Sequence, residues 1–200
     1  MSCTFCPIPW NFQAVRSNGD LRVCCQANIT RNKGVLRKDD GTPYNAAVDE
    51  LSAARNSELI KTMRKNMLSD VWSDECKRCQ TEEENGLVSR RNYEHDRWPN
   101  ITIETARDFT REDGSIEVSE WPVTYYDLRF GNLCNLACRM CGPTDSTGWY
   151  EDWFKLHGKL SFDDTHGVEQ LRRENGKLIS DSYEWHNSES FWAQIEANAA

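Results

Sequence analysis

The stretch Tyr125–Pro143, YYDLRFGNLCNLACRMCGP, decides how this chain is read. It opens as a strand: Val123–Phe130 is rich in aromatic and β-branched residues, and Tyr126, Leu128 and Phe130 fall on one face at the two-residue period. Cysteines follow at once, Cys134, Cys138 and Cys141, in the spacing C-x3-C-x2-C. Three thiolates on one short loop suffice for three irons of a cubane. With no fourth cysteine nearby, the remaining iron stays open to an outside ligand, the feature that separates an open catalytic metal site from a closed structural one. The loop also comes directly after a strand, where parallel α/β barrels place their chemistry. A zinc site drawing its fourth ligand from elsewhere is the rival reading, although zinc cysteines more often pair as C-x2-C.

This spacing, with the strand before it, resembles the first strand and cluster loop of the radical SAM enzymes. The resemblance implies that Cys134, Cys138 and Cys141 bind a 4Fe-4S cluster whose open iron takes the amino and carboxylate groups of S-adenosyl-L-methionine (SAM). One electron from the cluster then yields a 5′-deoxyadenosyl radical that abstracts hydrogen from substrate. The residue before the third cysteine is commonly aromatic in that family, whereas here it is Met140, an apolar side chain able to pack against adenine.

Working outward, the chain holds nine cysteines, at 3, 6, 24, 25, 76, 79, 134, 138 and 141. An odd number in clusters suits thiolate ligation of a soft metal better than a disulfide framework. In the N-terminal half the pattern is C-x12-G-x4-C followed by C-x2-C: Cys6, Gly19, Cys24, then Cys76 and Cys79. A hairpin turning at Asn18-Gly19, flanked by Phe12, Val15, Leu21 and Val23, brings Cys6 and Cys24 to one end. A helical C-x2-C then closes a four-thiol site. With its surroundings, FCPIPW, NGDLRVCC and ECKRCQTEEENGLVSRR, this resembles the twitch module, the shortened SPASM domain that holds an auxiliary 4Fe-4S cluster. The resemblance implies ligation by Cys6, Cys24, Cys76 and Cys79. A zinc knuckle from Cys3, Cys6, Cys76 and Cys79 is the alternative, and Cys25 is expected to point away from Cys24 on an extended strand. Here the module precedes the barrel strand, as in twitch domain-containing radical SAM proteins.

The expected fold class is therefore an α+β N-terminal iron–sulfur module followed by the start of an α/β partial TIM-type radical SAM barrel: its first strand, cluster loop and first helix. The expected division is an auxiliary domain at 1–98, a linker or polar hairpin around Asp113-Gly114 at 99–122, and the barrel portion at 123–200. Helices are expected over 45–68, with Ser57 as N-cap, from Asp74 to Gly86, over 146–157 up to Gly158, and after Ser188, with Phe191, Trp192 and Ile195 on one face; 26–44 and 158–187 read as loops. A complete barrel takes about 250 residues. The family's second strand, with its Gly-Gly-Glu, has no counterpart here, so the chain is expected to be a fragment unable to turn over alone.

Composition narrows the partners. Twenty-four basic residues against 32 acidic give a net charge of −8, and the densest basic pair, Arg90-Arg91, is too short for a phosphate-binding stripe. Neither nucleic acid nor a membrane surface is expected. No apolar run approaches the roughly 18 residues of a membrane span, and the first twenty residues lack the pattern of a secretory signal, so a reducing cytoplasm is expected. The resemblance implies an electron donor such as flavodoxin or ferredoxin and a peptide or small-molecule substrate. His95, His157, His166 and His186 show no metal-ligand spacing, and Trp149, Trp153 and Phe154 read as packing.

Overall fold

The computed structural model describes residues 4–27, 34–165 and 167–199; Cys3 and His166 lie outside them. Pro7 and Pro9 open a single helical turn, α1 (Ile8–Asn11), which leads into β1 (Phe12–Val15). The chain reverses over Arg16–Gly19, where the Gly19 amide donates to the Arg16 carbonyl at 2.9 Å, and returns as β2 (Leu21–Arg22). Gly19 takes φ +87°, and a Cβ there would stand 2.8 Å from both Asn45 Oδ1 and Trp185 Cβ, so this turn requires glycine twice over. The expected hairpin is present.

Two helices follow, α2 (Leu51–Ala54) and α3 (Glu58–Leu68). Ile60, Met63 and Met67 bury one face of α3, the spacing that predicts it. Ser57 sits at its N-cap without a side-chain capping bond. A 3-10 turn (Asp74–Cys76) runs into α4 (Lys77–Glu84), and α5 (Arg90–Arg97) starts from a capping box between Ser89 and Asn92.

The helix expected over 45–68 is present only as α2 and α3, with 45–50 and 55–57 outside it, and two further segments differ from expectation. Residues 99–122 contain a helix, α6 (Ile103–Phe109), begun by a Thr102–Thr105 capping box. The hairpin shrinks to one bridge, Thr110 with Ile116, around Gly114. The polar character that suggested a two-faced hairpin belongs to a helix that buries only Ala106. Beyond β3 (Tyr125–Leu128) and α7 (Tyr150–His157), residues 158–187 form two short hairpins instead of a loop: β4 (Ser161–Asp164) with β5 (Gly167–Gln170), and β6 (Arg172–Glu174) with β7 (Lys177–Ile179). Of these strands of three or four residues, β4, β5 and β7 bury one side chain each, Phe162, Glu169 and Leu178, and β6 none, which leaves little alternation to read. Gly158, at φ +63°, ends α7, and α8 (Glu189–Ala199) closes the described chain.

The result is a mixed α/β arrangement of small sheets, none of which closes among the described residues. The largest has the order β2-β1-β3: β1 runs antiparallel to β2 and parallel to β3, with Phe12 opposite Tyr125 and Val15 opposite Leu128. One core spans the sequence. Trp10, Leu21 and Leu36 pack with Ala106 and Ile116 and with Trp185 and Phe191. Each of the three expected divisions thus contributes side chains to it. A smaller cluster, Tyr150, Phe162, Leu171, Leu178 and Tyr183, lies under α7 and the hairpins. No described helix is long and apolar enough to cross a membrane.

Candidate metal centres

Strand direction sets the geometry of the two cysteine regions. Because β2 runs back along β1, Cys24 emerges beside the start of β1, the end where α1 and Cys6 enter. Because β3 runs with β1, its loop of Cys134, Cys138 and Cys141 emerges at the opposite end, beside the Arg16–Gly19 turn. There Ser17 Oγ donates to the Thr144 carbonyl at 3.0 Å. About 13 Å of four-residue strand separates the two ends.

At the first end, Cys6, Cys24, Cys76 and Cys79 line a single cavity of about 30 Å³, walled by Ile8, Pro9, Met63, Met67 and Trp72. The spacing of Cys76 and Cys79 across the junction of the 3-10 turn and α4 places both on one side. The apolar walls exclude water, and the effect on the thiols is large. Burial pushes the Cys6 thiol up, and Cys76 and Cys79 push it further. Burial and the neighbouring Cys79 raise Cys76 from 9.0 to about 12. The amide of Ile8 donates to Cys6 and that of Gln26 to Cys24, the latter at 3.4 Å, each from two residues downstream. Backbone N–H groups aimed at sulfur stabilise thiolate and are a recurrent feature of metal–thiolate sites. The donor set therefore fits a soft metal or an iron–sulfur cluster.

Cys25 does not line the cavity, yet it does not point away from Cys24 on an extended strand as expected, because β2 ends at Arg22 and both cysteines sit in non-strand backbone. Its thiol pairs with that of Cys24 and faces Arg90 and Asp127. Arg90 and Arg91 do line it. Arg91 donates to the Phe5 carbonyl at 3.1 Å, grips Glu83 with Nε and Nη2, and lies 5.5 Å from the Trp72 ring centroid. Arg90 pairs with Glu94 and donates to Tyr125 Oη at 3.1 Å. His95 Nε2 stands 2.8 Å from the same Phe5 carbonyl. Sequence reasoning passed over this arginine pair as too short for a charged stripe. The signal was its place, directly after a serine N-cap, where cations oppose the positive end of a helix.

At the second end, Cys138 is exposed, and Cys134 and Cys141 are half-buried. Its own partial desolvation, Asp145 and the two other loop cysteines raise the Cys141 thiol, so the three thiols share one electrostatic neighbourhood. The loop is braced from Ser146–Trp149. Ser146 Oγ donates to the carbonyls of Cys134 at 3.0 Å and Leu136 at 2.5 Å, Thr147 Oγ1 and the Gly148 amide donate to Cys134 at 3.0 Å, and Trp149 Nε1 donates to the Cys138 carbonyl at 3.1 Å. Trp149, expected as packing, thus holds the loop. A Cβ on Gly148 would stand 2.8 Å from the Leu136 carbonyl oxygen. Met140 and Leu133 are 97% and 92% exposed, apolar side chains presented to solvent beside the cysteines.

Among the described residues, no group of three or more Cys, His, Asp or Glu side chains is already drawn together around a metal-sized point. No family model, curated protein or solved structure matches the chain.

Proposed function

We propose that this chain belongs to the radical SAM enzymes, with a SAM-binding 4Fe-4S cluster on Cys134, Cys138 and Cys141 and an auxiliary cluster on Cys6, Cys24, Cys76 and Cys79. The observation that carries the reading is that Cys6, Cys24, Cys76 and Cys79 all line one apolar cavity, although 69 residues separate Cys6 from Cys76. The loop adds three neighbouring thiols, one of them open to solvent. When bound there, the cluster supplies the electron that splits SAM reductively, and the resulting carbon radical takes hydrogen from a peptide or small-molecule substrate.

The chain's own part is positional. Ser146, Thr147, Gly148 and Trp149 occupy the loop carbonyls, leaving the thiols free to ligate. Ile8, Met63, Met67 and Trp72 keep water from the cavity. A second reading, one zinc ion held by the four cavity thiols in a non-catalytic interaction module, rests on the same lining, since four thiols also suit tetrahedral zinc.

Anaerobic reconstitution with iron and sulfide separates the two. About eight irons per chain, with visible charge-transfer absorbance, is the expected result; colourless protein with stoichiometric zinc overturns it. For turnover, the full-length protein should release 5′-deoxyadenosine from SAM under reductant with a flavodoxin or ferredoxin. Cys138→Ala should abolish that release, and its persistence would sink the assignment.

A further inference from the structure

Three arginines are buried in the core behind the cysteine cavity. Arg64 is fully buried, and Arg55 and Arg22 are 2% and 4% exposed. Among the described residues none of them pairs with a carboxylate. Each instead donates to neutral acceptors: Arg64 to Asn56 Oδ1 at 3.0 Å and the Gly114 carbonyl at 3.2 Å, Arg55 to the Trp121 carbonyl at 2.6 Å, and all three to backbone carbonyls of the cysteine-bearing segments. Arg64 donates to the Pro9 carbonyl from Nε at 3.0 Å and Nη2 at 2.8 Å, Arg55 to that of Trp10 at 2.5 Å, and Arg22 to that of Ala27 at 2.6 Å. Pro9 and Ala27 are themselves cavity wall. Buried charge without a counter-charge is expensive. Carbonyl dipoles recover only part of that cost.

We propose that Arg22, Arg55 and Arg64 are positioning residues whose charge is balanced by an anionic centre in the cavity, and that they raise the reduction potential of the cluster bound there. This rests on the auxiliary-cluster reading above. A cluster held by four thiolates carries net negative charge and gains one further unit on taking up an electron. Fixed positive charge behind the walls favours that more negative state. Arg22 also lies within electrostatic reach of Cys24, which ties the cationic support to the ligands themselves. Burial presses down the basicity of Arg55 and Arg64, the mark of a charge the metal-free fold alone holds at a cost.

The test uses the full chain carrying Cys134→Ala, Cys138→Ala and Cys141→Ala, so that only the cavity can load. It is reconstituted with ferrous iron and sulfide and titrated with dithionite, each step one electron from dithionite to the cluster with no proton transferred. The parent should take up about four irons. In Arg22→Gln and Arg64→Gln the ratio of oxidised to reduced cluster, read by low-temperature EPR at the parent's midpoint, should rise about tenfold, equivalent to 59 mV for one electron. Arg22→Lys should stay within about twofold of the parent. An unmoved ratio in Arg22→Gln with full iron content overturns the inference alone, as does an Arg22→Lys shift as large as that of Arg22→Gln. Should Arg64→Gln fail to fold, the Arg22 pair decides. A parent that takes up no iron, or only zinc, overturns the iron–sulfur reading beneath it.

Discussion

The two cysteine regions share one sheet and differ in almost everything else. The cavity draws its thiols from three separate segments, with Cys6 and Cys79 buried and Cys24 and Cys76 half-buried, and surrounds them with arginine and apolar side chains. The loop takes its thiols from eight consecutive residues, leaves Cys138 exposed and Cys134 and Cys141 half-buried, and has its carbonyls fastened to the residues just after it. The first depends on the global fold and the second on local bracing. A closed centre suited to electron transfer needs the former, and a centre that must admit an outside ligand needs the latter.

Two tryptophans break this comparison most sharply. Trp10 is fully buried beside Phe5, with Nε1 donating to Thr110 Oγ1 at 2.9 Å. Trp10→Ala should cost about 3–5 kcal/mol, lowering Tm by roughly 6–20 °C and emptying the cavity of iron. Trp149→Ala should lower Tm by only about 2–4 °C, the loss of about 1 kcal/mol for one hydrogen bond, yet empty the loop alone. Thermal unfolding followed by circular dichroism, with iron counted per chain, reads both. Equal Tm losses would mean the loop is woven into the core. Gly148→Ala pushes a methyl against the Leu136 carbonyl and should likewise halve bound iron, leaving the cavity cluster in place, at a cost of about 1–3 kcal/mol.

Thiol reactivity sharpens the contrast. Raising Cys76 from 9.0 to about 12 lowers its thiolate fraction near neutral pH about 1000-fold. Alkylation of the metal-free chain at pH 8 should therefore mark Cys138 well before Cys76, as mass spectrometry of digests would show; simultaneous labelling would mean the cavity opens freely. The sign for stability follows. The folded state prefers the protonated Cys76, so this contribution is complete below pH 9 and is lost as pH climbs towards 12. Tyr150, pushed by burial to about 12, acts in the same direction. Metal-free protein should lose Tm across that window, and Cys76→Ala should soften the decline.

Legibility in the sequence followed locality. The Asn18-Gly19 turn, the α3 stripe of Ile60, Met63 and Met67, and the Gly158 stop each depend on a few neighbouring residues, and each stands where the pattern puts it. Cysteine spacing carried the loop for the same reason. The α6 helix was hidden because its polar face outweighs its one buried alanine, and the β4–β7 hairpins because strands of three or four residues hold too few alternations. The arginines were invisible for a different cause: charged side chains default to the surface. Only the three-dimensional path of Pro9, Trp10 and Ala27 shows that Arg64, Arg55 and Arg22 belong inside.

The finest cut between the regions lies at Ser89. Its Oγ accepts from the Asn92 amide at 3.4 Å while its own amide donates to Asn92 Oδ1 at 2.9 Å, and its hydroxyl donates to Glu83 Oε1 at 2.5 Å. That cap opens a helix whose first two residues, Arg90 and Arg91, oppose the helix dipole and line the cavity. Ser89→Ala should cost about 1 kcal/mol, a Tm loss of about 2–4 °C. Ser89→Thr, which keeps the hydroxyl, should recover most of it. Since Arg91 spans Glu83 and the Phe5 carbonyl beside Cys6, loosening its helix start should speed chelator removal of cavity iron and leave loop iron unchanged. Faster loss from both regions alike would mean that the sheet transmits what the cap does, and that the separation drawn from strand direction is too strict.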